Sequence, residues 1–164
     1  MPSKPLRDRK RKLPVLNSAH LTALNLFKAN NLLSRAITKH LSEFGLTISQ
    51  HSVLAFLRAN ARQGLALSEL GEMLSLSSPN ITNVVDRLEE KGWVRRTEHG
   101  RDRRIKIVQL TDQGEALESR VFDLHGSRLQ EMLGVRLSED ELRRLIHLLR
   151  LLRKGLEESR WLSP

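Results

Sequence analysis

LSELGEMLSLSSPNITNVVDRLEEKGWVRRTEHGRDRRIKIVQLT, Leu67 to Thr111, decides the fold. A short helical pattern from Ser68 to about Leu74 comes first, with Gly71 in its middle. Gly costs roughly 1 kcal/mol of helix propensity against Ala, so its use there points to close approach by a second helix. After a turn of three or four residues, Ser77 or Ser78 can cap the next helix, with Pro79 in its first turn. Ile81, Val84, Val85 and Leu88 fall on its inward face, leaving Asn80, Thr82, Asn83 and Arg87 on the outer faces. Gly92 ends it. Trp93–Glu98 and Arg104–Leu110 read as two strands around the tip His99-Gly100-Arg101-Asp102. The order is helix, turn, helix, β-hairpin, a layout that lays one helix in a DNA major groove with a charged loop beside it.

Outward from this stretch the chain is helical. Asn17 or Ser18 can cap a first helix whose apolar residues Leu26, Leu33, Ile37, Leu41 and Phe44 share one face and which ends at Gly45. Thr47 and Gln50 have capping-box spacing and open a second helix, which buries Val53, Leu54 and Leu57 and stops near Gly64. A fifth helix follows Thr111 with Leu117, Val121 and Leu124 on one face. Ser138 and Glu141 repeat the capping box before a last helix carrying Leu142, Leu145, Ile146, Leu149, Leu152 and Leu156. Leu148 and Leu151 widen its apolar surface beyond a single face, which predicts a second contact surface. The expected architecture is mainly α with a small β-hairpin wing.

Composition narrows the function. The 164 residues suit one domain, or one domain with a dimerisation extension, and are enough to bury a core. Net charge is +9. Residues 1–12 hold Lys4, Arg7, Arg9, Lys10, Arg11 and Lys12 against Asp8, and with Pro2, Pro5 and Pro14 they predict a basic mobile arm over residues 1–14. A second concentration lies in the hairpin, where Arg95, Arg96, Arg101, Arg103, Arg104 and Lys106 face only Glu98 and Asp102. Such crowding calls for phosphate neutralisation, and arginine at a hairpin tip suits a narrow minor groove. Aromatic residues are 4%, too few for single-strand stacking platforms. The absence of cysteine excludes disulfides and thiolate metal sites and fits a reducing, cytoplasmic setting. No apolar run reaches the ~18 residues of a membrane span, and residues 1–14 lack a signal-peptide core. No nucleophile–base pairing, phosphate loop or metal-ligand spacing suggests an enzyme, a metal or a cofactor. His20, His40, His51, His99, His125 and His147 form no cluster in the sequence.

The motifs together resemble the MarR family (multiple-antibiotic-resistance regulators), winged-helix transcription factors. GLTISQHSVL resembles the opening of that family's second helix, Leu67–Arg96 its helix-turn-helix, and DRRIKIVQLTDQG its wing motif and the run into the next helix. The likeness spans roughly residues 17–156. It implies a single domain over residues 15–164, with the winged helix-turn-helix at 47–111 and dimerisation helices at 15–45 and 112–160. It carries DNA contact onto Ser78, Pro79, Asn80, Thr82, Asn83 and Arg87 in the recognition helix. In the wing, Asp102 steadies Arg104 for the minor groove, Arg103 is a candidate for the same role, and Arg101 belongs to the same tip. The implied partners are double-stranded DNA with a near-palindromic site, a second copy of the chain, and a small aromatic effector in a cleft bordered by His51. The competing reading of His51 is an interface histidine with no ligand. Two departures stand out: Gly71 replaces a usual alanine, and Ser78 and Asn83 stand where many members are basic, which moves readout away from Arg–guanine pairing. The expected function is a homodimeric repressor released by a small molecule. The alternative is an architectural or protein-interaction module with weak DNA specificity.

Overall fold

The computed structural model describes residues 16–61, 63–98 and 105–159. The wing-tip positions Arg101, Asp102, Arg103 and Arg104 and the basic arm lie outside the described residues. The elements in chain order are α1 (Ser18–Ser42), α2 (Ile48–Ala59), β1 (Leu65–Ala66), α3 (Leu67–Leu74), α4 (Ser78–Glu90), β2 (Val94–Glu98), β3 (Lys106–Leu110), α5 (Asp112–Gly134) and α6 (Glu139–Glu157).

Local chemistry sets most of these boundaries. Asn17 caps α1, its side chain accepting from the His20 amide. The Thr47–Gln50 and Ser138–Glu141 boxes are formed in both directions, each satisfying two amides that a helix start leaves free. Ser77 is the N-cap of α4, with Pro79 in the first turn. Thr111 caps α5 by accepting from Gly114, and its hydroxyl donates to the Gly92 carbonyl, tying the end of β3 to the end of α4. Gly114 is dictated by space: a Cβ there would lie 1.9 Å from the Trp93 carbonyl oxygen. At Gly71 a Cβ would come within 3.3 Å of the Leu76 carbonyl and 3.4 Å of Ile81, the close approach of α3 and α4 expected of this glycine. The turn between these two helices begins at Ser75, the one described non-glycine residue with positive φ, at 52°.

The wing hairpin pairs β2 with β3 antiparallel, Val94 opposite Leu110 and Glu98 opposite Lys106. A third strand was not expected. Leu65–Ala66 pairs with Ile107–Val108, giving the order β1-β3-β2. Two residues are too few to display an alternating pattern, so nothing local announces it. One core, built on Leu41, Leu54, Leu57, Leu70, Ile81, Val85, Leu88, Val108 and Val121, joins α1 through α5 to the sheet.

The terminal helices stand apart. In α1 only His40 and Leu41 are buried, and Leu26, placed on its inner face by periodicity, is 41% exposed. No residue of α6 is buried, and Leu145, Ile146, Leu148, Leu149, Leu151, Leu152 and Leu156 all face outward. Leu124 of α5 is likewise exposed rather than inward-facing. No helix among the described residues is long and apolar enough to cross a membrane.

Candidate nucleic-acid interface

Ser78, Pro79 and Asn80 form the exposed first turn of α4, and Asn83 and Arg87 continue the exposed face one and two turns on. Short polar side chains there leave the helix free to approach a groove floor, and Asn carries the donor and acceptor pair that matches adenine. Thr82 differs from expectation. It is half-buried, its hydroxyl donates to the Ser78 carbonyl, and its own carbonyl accepts from Arg96. Its reach is therefore turned back toward its own helix. Arg87 donates to Glu90 at 3.0 Å, an exposed pair that can exchange for a phosphate with little loss.

Hairpin charge is less free than a count along the sequence implies. Arg96 does not project outward. Its guanidinium donates to Glu89 at 2.6 Å and to Asp86 at 2.5 Å, and its backbone amide donates to the other Glu89 oxygen at 2.9 Å. One side chain of β2 thereby grips two carboxylates on the back of α4, a planar fork that suits arginine and not lysine. Lys106 pairs with Glu98 across the hairpin at 3.0 Å, and Arg95 donates to Gln109. Much of the crowding near the base of the wing is relieved within the chain. The grip also fixes the recognition helix relative to the hairpin. Just past the same end of α4, Lys91 donates to the Gly45 carbonyl at 2.7 Å and lies over the Trp93 ring.

A second polar cluster lies where α2 meets α1 and α5. His51 is 12% exposed, and its Nε2 sits 3.9 Å from the carboxylate of Glu118, which is fully buried. His40 and His125 stack in parallel at 5.5 Å, and His51 meets His125 edge-on at 4.7 Å. These histidines belong to three helices, so no grouping is visible along the sequence. Among the described residues no three His, Asp or Glu side chains are arranged to hold a metal ion. Burial, and then the neighbouring His125 and His40, push the pKa of His51 down to about 4. Burial pushes the Glu118 carboxyl up to about 7, with Arg58 opposing. His125 is lowered by burial and by His40, and His40 by burial and by Arg128, with Glu43 opposing.

A helix-turn-helix whose second helix offers a polar face, clamped to a β-hairpin and flanked by two helices with exposed apolar faces, defines a winged-helix protein of the DNA-reading class. A model of the MarR family matches residues 44–105. The chain is 34% identical to the transcriptional regulator PecS of Dickeya dadantii over 136 residues, 82% of this chain and 81% of PecS. It is 32% identical to the transcriptional regulator MhqR of Bacillus subtilis, over 83% of this chain and 90% of MhqR. The chain belongs to the MarR family of transcription regulators. A cysteine-to-serine mutant of Escherichia coli MarR in complex with operator DNA superposes with a TM-score of 0.76 at 29% identity, covering 85% of this chain and 99% of that one. Wild-type E. coli MarR in its apo form gives 0.67, covering 85% of this chain and 98% of that one.

Proposed function

We propose that the protein is a homodimeric transcriptional repressor that reads a near-palindromic site in double-stranded DNA and is released by a small aromatic effector. The observation that carries this is the exposed face of Ser78, Pro79, Asn80, Asn83 and Arg87, held against the wing by Arg96. The face enters the major groove, Asn80 and Asn83 read bases, and Arg87 meets phosphate. Arg101, Asp102, Arg103 and Arg104 serve the minor groove as the family resemblance implies. The exposed leucines of α6 and the apolar side of α1 cover each other's counterparts in the dimer. Residues 15–45 and 112–160 are then the dimerisation part and 47–111 the DNA-binding part. The effector lies along the seam near His51. The basic arm of residues 1–14 adds sequence-independent affinity, and the protein works in the cytoplasm.

Selection of bound sites from random duplexes, followed by competition against bulk DNA at fixed salt, tests the reading. The expected product is a two-fold site with half-sites about 10 bp apart. Equal affinity for selected and bulk DNA favours the architectural alternative instead. Light scattering should give a dimer mass, and Leu149→Asp should dissociate it, since an uncompensated charge would be buried in the interface.

A further inference from the structure

We propose that the outer face of α1, carried by Lys28, Arg35 and Lys39, is a second DNA surface that holds duplex flanking the recognised site and draws it around the dimer. The proposal rests on the regulator reading and adds to it a contact outside the helix-turn-helix and wing.

The sequence first sets this helix apart. From Arg9 to Ser42 there are seven lysines and arginines, and all 19 acidic residues of the chain lie outside the stretch. A solvated helix ordinarily interleaves both signs. α6 does so: Arg143 pairs with Asp140, Arg153 with Glu157 and Lys154 with Glu158. In α1 nothing plays that part. Lys28, Arg35 and Lys39 are exposed, and among the described residues no ion pair engages them. Glu43, the first carboxylate after the helix, is already taken by Arg128 at 3.2 Å.

The fold then lines these cations up. Leu33, Ile37 and Leu41 turn one side of α1 toward the core, and the helical repeat puts Lys28, Asn31, Arg35, Thr38 and Lys39 on the opposite side. A shallow groove of about 690 Å³ runs along that side, lined by Asn31, Ser34, Arg35, Thr38 and Lys39. Every one of these side chains carries a hydrogen-bond donor and none carries a negative charge, the chemistry that meets phosphate oxygens. A second groove of about 570 Å³ shares Lys39 and reaches Arg128 on α5. The three α1 cations are spread over ~16 Å of helix and do not converge on one point. Such a row fits an extended polyanion better than a small anion.

Its place favours DNA as that polyanion. Lys39 lies three residues before the end of α1, and the corner that follows adjoins the reading helix. The Gly45 carbonyl accepts from Lys91 at 2.7 Å, and a groove of about 480 Å³ joins Thr47 and Gln50 to Asn83 and Arg87. The basic row therefore begins one corner away from the DNA-reading face and leads outward from it. Bending the flank toward α1 costs elastic energy, which neutralised phosphates offset.

The test compares a duplex of about 20 bp holding only the two half-sites with one extended by about 15 bp of unrelated sequence on each side. The wild type should bind the longer duplex about tenfold more tightly at low salt, with a salt slope steeper by about 0.9 for each flanking phosphate neutralised. Arg35→Gln with Lys39→Gln should leave the short duplex bound within about twofold and cut the length gain to under about threefold. No length gain in the wild type would overturn the proposal, as would a variant that keeps the gain or loses affinity equally on both duplexes. A variant that falls apart to monomers would overturn it too, showing that the row faces acidic residues of a second copy. Hydroxyl-radical footprinting and energy transfer between the duplex ends read the wild type without any variant. Protected flanks and a shortened end-to-end distance are expected, whereas protection ending at the half-sites on a straight duplex would overturn the proposal. Failure of the regulator reading looks different: selected and random short duplexes would bind alike, and the variant would still decide whether α1 holds the longer one.

Discussion

The contact between α4 and β2 and the seam between α1, α2 and α5 are both polar and both sit beside the core, but they are built on opposite principles. At the first, Arg96 meets Asp86 and Glu89 with three charge-assisted bonds while remaining partly wetted, so its charge is retained and compensated. At the second, Glu118 and His40 are buried and His51 and His125 half-buried, and the buried polar atoms of Glu118, His40 and His51 have no hydrogen-bond partner. A compensated cluster fixes geometry over a wide pH range. An uncompensated one is held together only while its groups stay neutral. The compensated joint thus sits between α4 and β2, and the uncompensated one between α1, α2 and α5.

The sharpest way to break the comparison is Arg96→Ala. It leaves Asp86 and Glu89 without their cation and should cost about 1–2 kcal/mol in chemical denaturation, the scale of losing hydrogen bonds to charged groups that are partly screened by solvent. Arg96→Lys should recover less than half of it, because an ammonium cannot fork to two carboxylates. A loss under about 0.5 kcal/mol would mean the clamp does not hold the helix.

Asn83→Ala acts on the face that the clamp presents. It should leave stability unchanged and lower discrimination at one base position per half-site by about 2 kcal/mol. Equal losses on selected and random duplexes would reduce Asn83 to a backbone contact.

Glu118→Gln sharpens the other half of the comparison. The folded chain holds this proton up to about pH 7, whereas an unperturbed carboxyl releases it near 4.5. Its contribution to stability is therefore full below 4.5 and is lost as pH rises through 7. His51 works the opposite way: lowered to about 4, it contributes stability above 6.5 that is lost as pH falls toward 4. Together they place the optimum of the seam near neutral to slightly acid pH. Glu118→Gln should gain about 1–2 kcal/mol at about pH 8 and nothing near pH 4.5. Thermal unfolding across that range checks the sign, and a pH-independent effect would show that ionisation is not involved.

The smallest effect belongs to Arg87→Ala. The exposed pair with Glu90 should be worth less than about 0.5 kcal/mol to the fold. DNA affinity should still fall, with a salt slope shallower by about one.

Short-range features were settled by the order of residues alone. Each capping box spans three residues, each helix face repeats within a turn, and the wing strands alternate within five residues, so Thr47–Gln50, Ser138–Glu141, the inward row Ile81, Val85 and Leu88, and the β2–β3 hairpin were all legible. The exposed polar face of α4 was legible for the same reason, apart from Thr82, which is half-buried with its hydroxyl bonded back to the Ser78 carbonyl. The leucines of α6 announced an unfilled surface, and their exposure agrees. Tertiary structure decided the rest. It turned Arg96 from a free cation into a clamp, added β1 to the sheet, gathered His40, His51 and His125 from three helices, and set His51 beside a carboxyl that no local pattern marks as buried. Periodicity and capping are properties of neighbours along the chain. Charge pairing and desolvation depend on which distant residues the packed core brings together, and only the folded chain determines that.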